Sequence, residues 1–156
     1  MPNNLTQGQT INSDHIISGN KIYLDAAWRS RNIPGKQKGS STGIGVYCLL
    51  KQGLLEEKIL IQASPQVSAP SSLYAEAQGL NLAAQIAEKI NIHEATFFTD
   101  NLILARAAAA NRISNENVPW ELREQIANYQ RASRRMETKV YHISRNLNIT
   151  AHECAQ

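Results

Sequence analysis

The chain has 156 residues and a formal net charge of +3, with 42% apolar and 19% charged residues, a composition that excludes wholesale disorder. This length predicts a single domain, and the two cysteines lack the dense spacing of a disulfide-rich or zinc-binding module. The small positive excess is compatible with a polyanionic partner without requiring one.

The N-terminal residues 1–17 are rich in Asn, Gln, Thr and Ser and show no periodicity. They predict a flexible segment before a folded domain over residues 18–156. This segment has neither the basic start nor the apolar stretch of a secretory signal, and no run in the chain approaches the roughly 20 apolar residues of a membrane span. We therefore expect a soluble intracellular monomer, cytoplasmic or nuclear, without a membrane partner.

Hydrophobic periodicity and turn residues predict the order β β β α β α α β α. A strand that follows a helix can lie parallel to the first strand, whereas three consecutive strands favour an antiparallel meander. The order therefore predicts an α/β fold with a mixed five-stranded sheet and helices on its faces. The predicted strands cover 21–29, 42–50, 56–64, 94–100 and 138–144, and the predicted helices cover 73–90, 102–110, 119–136 and 148–156.

Three carboxylates occupy positions that local structure does not explain well. Asp25 lies inside the first strand, where Asp is unfavourable and a buried charge needs a partner, although an edge position facing solvent is an alternative. Glu76 falls on the apolar stripe of the first predicted helix, where the helix dipole is the alternative explanation. Asp100 ends the strand in "FFTDN". It is either an N-cap of the next helix or a ligand-binding residue at a strand end.

The three acids make more sense together than separately. If the first and fourth strands are neighbours and the first helix packs across them, Glu76 lies over Asp25 and Asp100. Three carboxylates at one place repel one another unless divalent cations neutralise them. Oxygen ligands favour Mg2+, and two such ions can activate a water and stabilise a leaving oxygen in phosphodiester cleavage.

Several stretches resemble the ribonuclease H superfamily, and especially its plant-type, reverse-transcriptase-like domains related to retroelements. These stretches are "YLDAAWR", "GIGVY", "LYAEAQGLNLAAQIA", "FFTDN" and "VYHISRNLNITAHECA", and the resemblance covers about residue 20 to the end of the chain. It implies an RNase H-like fold in which Asp25, Glu76 and Asp100 are catalytic metal ligands. It also implies an endoribonuclease that uses two Mg2+ ions to hydrolyse the RNA strand of an RNA/DNA hybrid.

His152 departs from the family pattern, because "NITAH" places histidine where a fourth acid is usual. Imidazole is a poorer ligand for Mg2+ than a carboxylate and suits Mn2+ or Zn2+ better. We expect His152 to act as a catalytic residue and a metal ligand, with Mn2+ as the alternative ion, or to assist proton transfer. The alternative is a surface histidine near the end of the chain.

The second departure concerns substrate binding, because only "NRISNENV" lies before Pro119 and leaves no room for a long basic insertion. Contacts to the hybrid must then come from other groups. A rival interpretation is an RNase H-like module that binds nucleic acid or protein without efficient catalysis. The candidate contacts are Arg29, Arg31, Arg145, Lys36 and Lys38, which are otherwise ordinary solvated charges, and Asn101 and Asn148, which are otherwise helix caps.

Overall fold

The fold is built on a five-stranded sheet with the strand order β3-β2-β1-β4-β5. The computed structural model describes residues 5–31, 39–110 and 118–156. β1, β2 and β3 form an antiparallel meander, whereas β4 lies parallel to β1 and β5 lies parallel to β4. The predicted α/β fold with a mixed sheet is confirmed. The strands are β1 (Lys21–Arg31), β2 (Gly39–Gln52), β3 (Leu55–Ala63), β4 (Glu94–Thr99) and β5 (Glu137–His142).

The helices are α1 (Ser72–Lys89), α2 (Leu102–Ala109), α3 (Arg123–Ala132) and α4 (Ile149–Ala155). Ser71 caps α1, since its side chain accepts a hydrogen bond from the backbone N–H of Tyr74. The prediction of one helix over 119–136 is too long. A 3-10 turn precedes α3. At the C-terminal end of α3 the Ser133 hydroxyl donates a hydrogen bond to the Tyr129 carbonyl at 2.8 Å, which competes with continuation of the helix. Among the described residues, no helix is long and apolar enough to cross a membrane.

Both faces of the central strands carry buried side chains, whereas those of β3 are exposed or half-buried. On one face Ile22, Leu24 and Phe97 pack in the core cluster that includes residues of α1, α2 and α3. On the other face Tyr23 and Phe98 pack with Ala151 of α4. Because successive strand residues point to opposite faces, the two phenylalanines of "FFTDN" serve two separate cores.

The N-terminal segment, residues 5–17, packs on the second face of the sheet. Its backbone pairs with β5, as Gly8 N–H donates to Val140 O at 2.8 Å and Ile11 N–H donates to His142 O at 2.9 Å. Ile11 is 3% exposed and belongs to the second core cluster. The described part of the segment over 1–17 is therefore packed and paired in this structure, and its flexibility stays a prediction. Backbone pairing along a strand edge needs no apolar periodicity, so composition did not indicate it.

Helix α4 lies directly against β2 because two glycines leave room for it. A Cβ atom at Gly43 would overlap the carbonyl oxygen of Ala155, and one at Gly45 would overlap that of Ala151. Gly45 is the cross-strand neighbour of Asp25. The close approach of α4 therefore brings the residues of this helix to the carboxylate of β1.

We predict that Ile11→Ala lowers the free energy of unfolding by about 2 to 4 kcal/mol, because it removes a buried side chain from the second core. Ile16→Ala is the matched control in the same segment, since Ile16 is 49% exposed. It should change stability by less than about 0.5 kcal/mol. Urea unfolding of both variants checks this, and equal effects would contradict the packing of the N-terminal segment.

Candidate active site

Asp25 and Asp100 meet because β1 and β4 are parallel neighbours. Their pairing runs from Lys21 and Thr96 to Tyr23 and Phe98. Continuing the same register by two residues places Asp25 level with Asp100. β4 ends at Thr99 while β1 continues, so the two carboxylates stand where the ladder between the strands stops.

Glu76 reaches this place from α1, which packs across β1. Its Oε1 accepts a hydrogen bond from the backbone N–H of Ala26 at 3.1 Å. Asp25, Glu76 and Asp100 each offer a ligand oxygen, and these atoms all lie within 4.8 Å of one another. The side chain of Asp100 is 9% exposed, and Asp25 and Glu76 are 1% and 7% exposed. The structure thus brings the three predicted carboxylates together.

Burial makes it costly to ionise these acids. Burial raises the pKa of Glu76 well above its usual range, and the nearby Asp25 and Asp100 raise it further, against the Ala26 N–H, which lowers it. Burial also raises the pKa of Asp100, as does Asp25, whereas Arg145 and His152 lower it. Glu76 and Asp100 therefore ionise more readily when positive charge is brought close to them.

The chemistry of the donor set fits a divalent cation. Glu76 Oε2 and Asp100 Oδ2 are buried and have no hydrogen-bond partner among the described residues. Buried oxygens of this kind normally have partners, and carboxylate oxygens are the ligands that Mg2+ prefers. Glu76 and Asp100 also line an open cleft of about 360 Å³. Its other lining residues include Arg29, Asn101, Arg145 and His152.

His152 contacts the acids as a hydrogen-bond partner of Asp25. Its Nδ1 lies 2.6 Å from Asp25 Oδ2, and its side chain is 33% exposed. If Asp25 is ionised, its carboxylate only accepts hydrogen bonds, and Nδ1 then carries the proton in this contact. This nitrogen therefore orients Asp25, and the role of His152 as a fourth metal ligand stays a prediction.

The two asparagines have different places. Asn101 lines the cleft and caps α2, because its Oδ1 accepts from the Leu104 N–H at 3.0 Å. Asp100 is therefore not the cap.

Asn148 is 1% exposed and its Nδ2 donates to the Leu24 carbonyl at 2.8 Å. A contact of Asn148 with nucleic acid stays a prediction, and its side chain does not cap α4. It joins the start of α4 to β1 beside Asp25.

Two of the predicted basic contacts lie at the cleft. Arg29 is exposed there, with Nη2 3.5 Å from Gln156 Oε1. The Arg145 side chain is 70% exposed, and its Nε lies 3.5 Å from Asp100 Oδ2. Lys36, Lys38 and the side chain of Arg31 lie outside the described residues.

We predict that Glu76→Gln stabilises the cation-free protein at neutral pH, by an amount on the order of 1 kcal/mol, because it removes a buried charge. The folded pKa of Glu76 lies above its unfolded value of 4.5, so the folded state binds this proton more tightly. Stability due to this group is then present below the unfolded pKa and lost as pH rises towards the folded pKa. The variant and the wild type should be equally stable in acid and diverge as pH increases.

Thermal unfolding across this pH range, with and without Mg2+, checks the prediction. Mg2+ should stabilise the wild type and leave Glu76→Gln almost unchanged. Glu88→Gln, at an exposed position of the same helix, is the control and should follow the wild type. A cation-free wild type that is more stable than Glu76→Gln at neutral pH would contradict the account.

Comparison with known proteins identifies the family. Residues 32–156 match the family model described as reverse transcriptase-like, whereas no curated protein is significantly similar in sequence. RNase H1 from the halophilic archaeon Halobacterium salinarum NRC-1 superposes with a TM-score of 0.64 at 17% identity, over 87% of this chain and 93% of that one. The PFV RNase H domain gives 0.61 at 17% identity, over 88% and 92%. LC11-RNase H1, isolated from compost by a metagenomic approach and solved with an RNA/DNA hybrid, gives 0.55 at 21% identity, over 87% and 93%. The chain therefore belongs to the reverse transcriptase-like family and has the fold of the ribonuclease H superfamily.

Proposed function

We propose that the protein is a metal-dependent endoribonuclease that hydrolyses the RNA strand of RNA/DNA hybrids by a two-metal-ion mechanism. The observation that carries this proposal is the meeting of Asp25, Glu76 and Asp100 within 4.8 Å, at an open cleft that Glu76 and Asp100 line. The family and the fold support it, as LC11-RNase H1 and the foamy viral protease-reverse transcriptase were both solved with an RNA/DNA hybrid.

The three carboxylates would hold the divalent cations, because they supply oxygen atoms and excess negative charge at one buried place. Bound cations would supply an activated water and stabilise the leaving oxygen of the phosphodiester. Mg2+ fits the oxygen donors best, and Mn2+ is the alternative if His152 takes part.

The residues of the chain hold these carboxylates in place. The Ala26 N–H fixes Oε1 of Glu76, while its Oε2 has no hydrogen-bond partner among the described residues. The His152 Nδ1–H fixes Oδ2 of Asp25. Preorganised ligands of this kind avoid the cost of reorienting side chains during the reaction.

Arg29 and Arg145 would contact the phosphates of the substrate. Both are exposed at the cleft, where a negatively charged centre by itself repels a polyanion. Cationic side chains beside that centre favour binding of the sugar-phosphate backbone. A hybrid would be recognised mainly by its shape and its 2'-hydroxyl groups, because side chains cannot read base edges in a deep, narrow groove.

We predict that the protein cleaves the RNA strand of an end-labelled RNA/DNA hybrid with Mg2+ or Mn2+ but not with EDTA. Asp25→Asn should lower the rate by more than about a hundredfold, because loss of an outer-shell partner already costs up to that much. Glu88→Gln is the control and should cleave like the wild type. Single-stranded RNA, duplex RNA and duplex DNA tested alongside define the substrate, and equal cleavage by Asp25→Asn would contradict the proposal.

One observation favours a second candidate function, a module that binds nucleic acid without efficient turnover. His152 stands where the family places an acid, and its Nδ1 is hydrogen-bonded to Oδ2 of Asp25. His152→Asp separates the two functions in the same assay. A rise in Mg2+-dependent cleavage would show that the histidine limits catalysis. Hybrid binding without cleavage in both proteins would support the binding module.

A further inference from the structure

The N-terminal segment, which precedes the part matched by the family model, pairs with the outer edge of β5. This pairing depends on the backbone conformation of the segment at Gly8. Gly8 has a φ of 83°, which favours glycine, and an added Cβ would lie 3.1 Å from the Cβ of Ala109 on α2. Gln9 O then accepts from the His142 N–H at 3.0 Å. The segment therefore meets His142, the last residue of β5.

The ring of His142 connects this segment to the backbone of Asp100. Its Nδ1 lies 2.7 Å from the hydroxyl oxygen of Thr10, and its Nε2 lies 3.1 Å from the carbonyl oxygen of Asp100. A carbonyl only accepts hydrogen bonds, so Nε2 carries a proton and donates. In the neutral ring Nδ1 then accepts from the Thr10 hydroxyl. One chain of hydrogen bonds thus runs from Thr10 to Asp100.

The peptide group between Asp100 and Asn101 is held at both of its ends. Its carbonyl accepts from His142 Nε2, and its N–H donates to the Thr99 hydroxyl at 3.1 Å. β4 ends at Thr99, so the strand ladder does not fix this peptide. Asp100 Oδ2 has no hydrogen bond among the described residues. The direction of the carboxylate therefore depends on how firmly the peptide is held and on the Arg145 guanidinium, whose Nε lies 3.5 Å from Oδ2.

We propose that Thr10 and His142 are positioning residues for Asp100, and that the N-terminal segment supports the active site through them. The proposal rests on the proposed function for its catalytic consequence. Its structural consequence is independent of catalysis. Loss of the Thr10 hydroxyl frees the ring, the ring then holds the Asp100 carbonyl less well, and the carboxylate samples directions that do not bind a cation.

The structural test is hydrogen exchange of the Asn101 amide together with 15N NMR of the His142 ring. The wild type should show the proton on Nε2. Thr10→Val, which removes the hydroxyl with little change in shape, and His142→Phe should both accelerate exchange of the Asn101 amide several-fold. Thr10→Ser keeps the hydroxyl and should behave like the wild type. Thr6→Val makes the same substitution at another exposed position of the segment and is the matched control.

The functional test is hybrid cleavage by the full chain. Thr10→Val should lower kcat about fivefold, the effect of one lost hydrogen bond, and leave KM unchanged. Unchanged Asn101 exchange in both Thr10→Val and His142→Phe, or equal behaviour of Thr10→Val and Thr10→Ser, would overturn the proposal. If the wild type cleaves no hybrid, the proposed function fails, and the exchange measurement still decides whether Thr10 and His142 position Asp100.

Discussion

The mutual repulsion of three buried carboxylates is the constraint on which the site depends. Asp25 lies in β1, Glu76 lies in α1 and Asp100 directly follows β4, and nothing local to any of these elements favours their meeting. Burial of apolar side chains brings them together, because α1 packs its Ala77, Leu80 and Ala84 into the same core as Ile22 and Leu24. Each buried leucine or isoleucine side chain contributes about 1.5 to 3 kcal/mol, which helps to offset the electrostatic cost. The core therefore holds an arrangement of charges that cations would stabilise further.

Helix α4, on the second face of the sheet, also helps to hold the carboxylate site in position. Gly45 admits α4 against β2, Asn148 ties the start of α4 to the Leu24 carbonyl, and His152 then reaches Asp25. A helix of seven residues is marginal in isolation, so these contacts rather than helix propensity determine where it lies. His152 is therefore important both for the family pattern and for the packing of α4. Because it replaces the usual acid, it is the residue that separates the two candidate functions, an endoribonuclease and a module that binds nucleic acid.

The element order and the three acids could be predicted from the sequence because both leave local signals. Periodicity marks strands and helices within a few residues, and an acid inside a strand or on an apolar helix stripe breaks a local preference. Asn148 and the N-terminal segment left no such signal. The hydrogen bond of Asn148 joins residues 124 positions apart, and the segment around Ile11 is held by backbone pairing that side chains do not encode. His152 was found through the resemblance, but its contact with Asp25 required the close packing of α4.

A paramagnetic NMR titration tests most directly whether the three carboxylates form a cation site. Mn2+ added below stoichiometric amounts to the 15N-labelled protein broadens the amide signals of residues near the bound ion. The account predicts that Asp25, Ala26, Glu76 and Asp100 lose intensity first. Broadening that begins at the exposed acidic pair Glu56 and Glu57 on β3, or that spreads evenly over the surface, would contradict it.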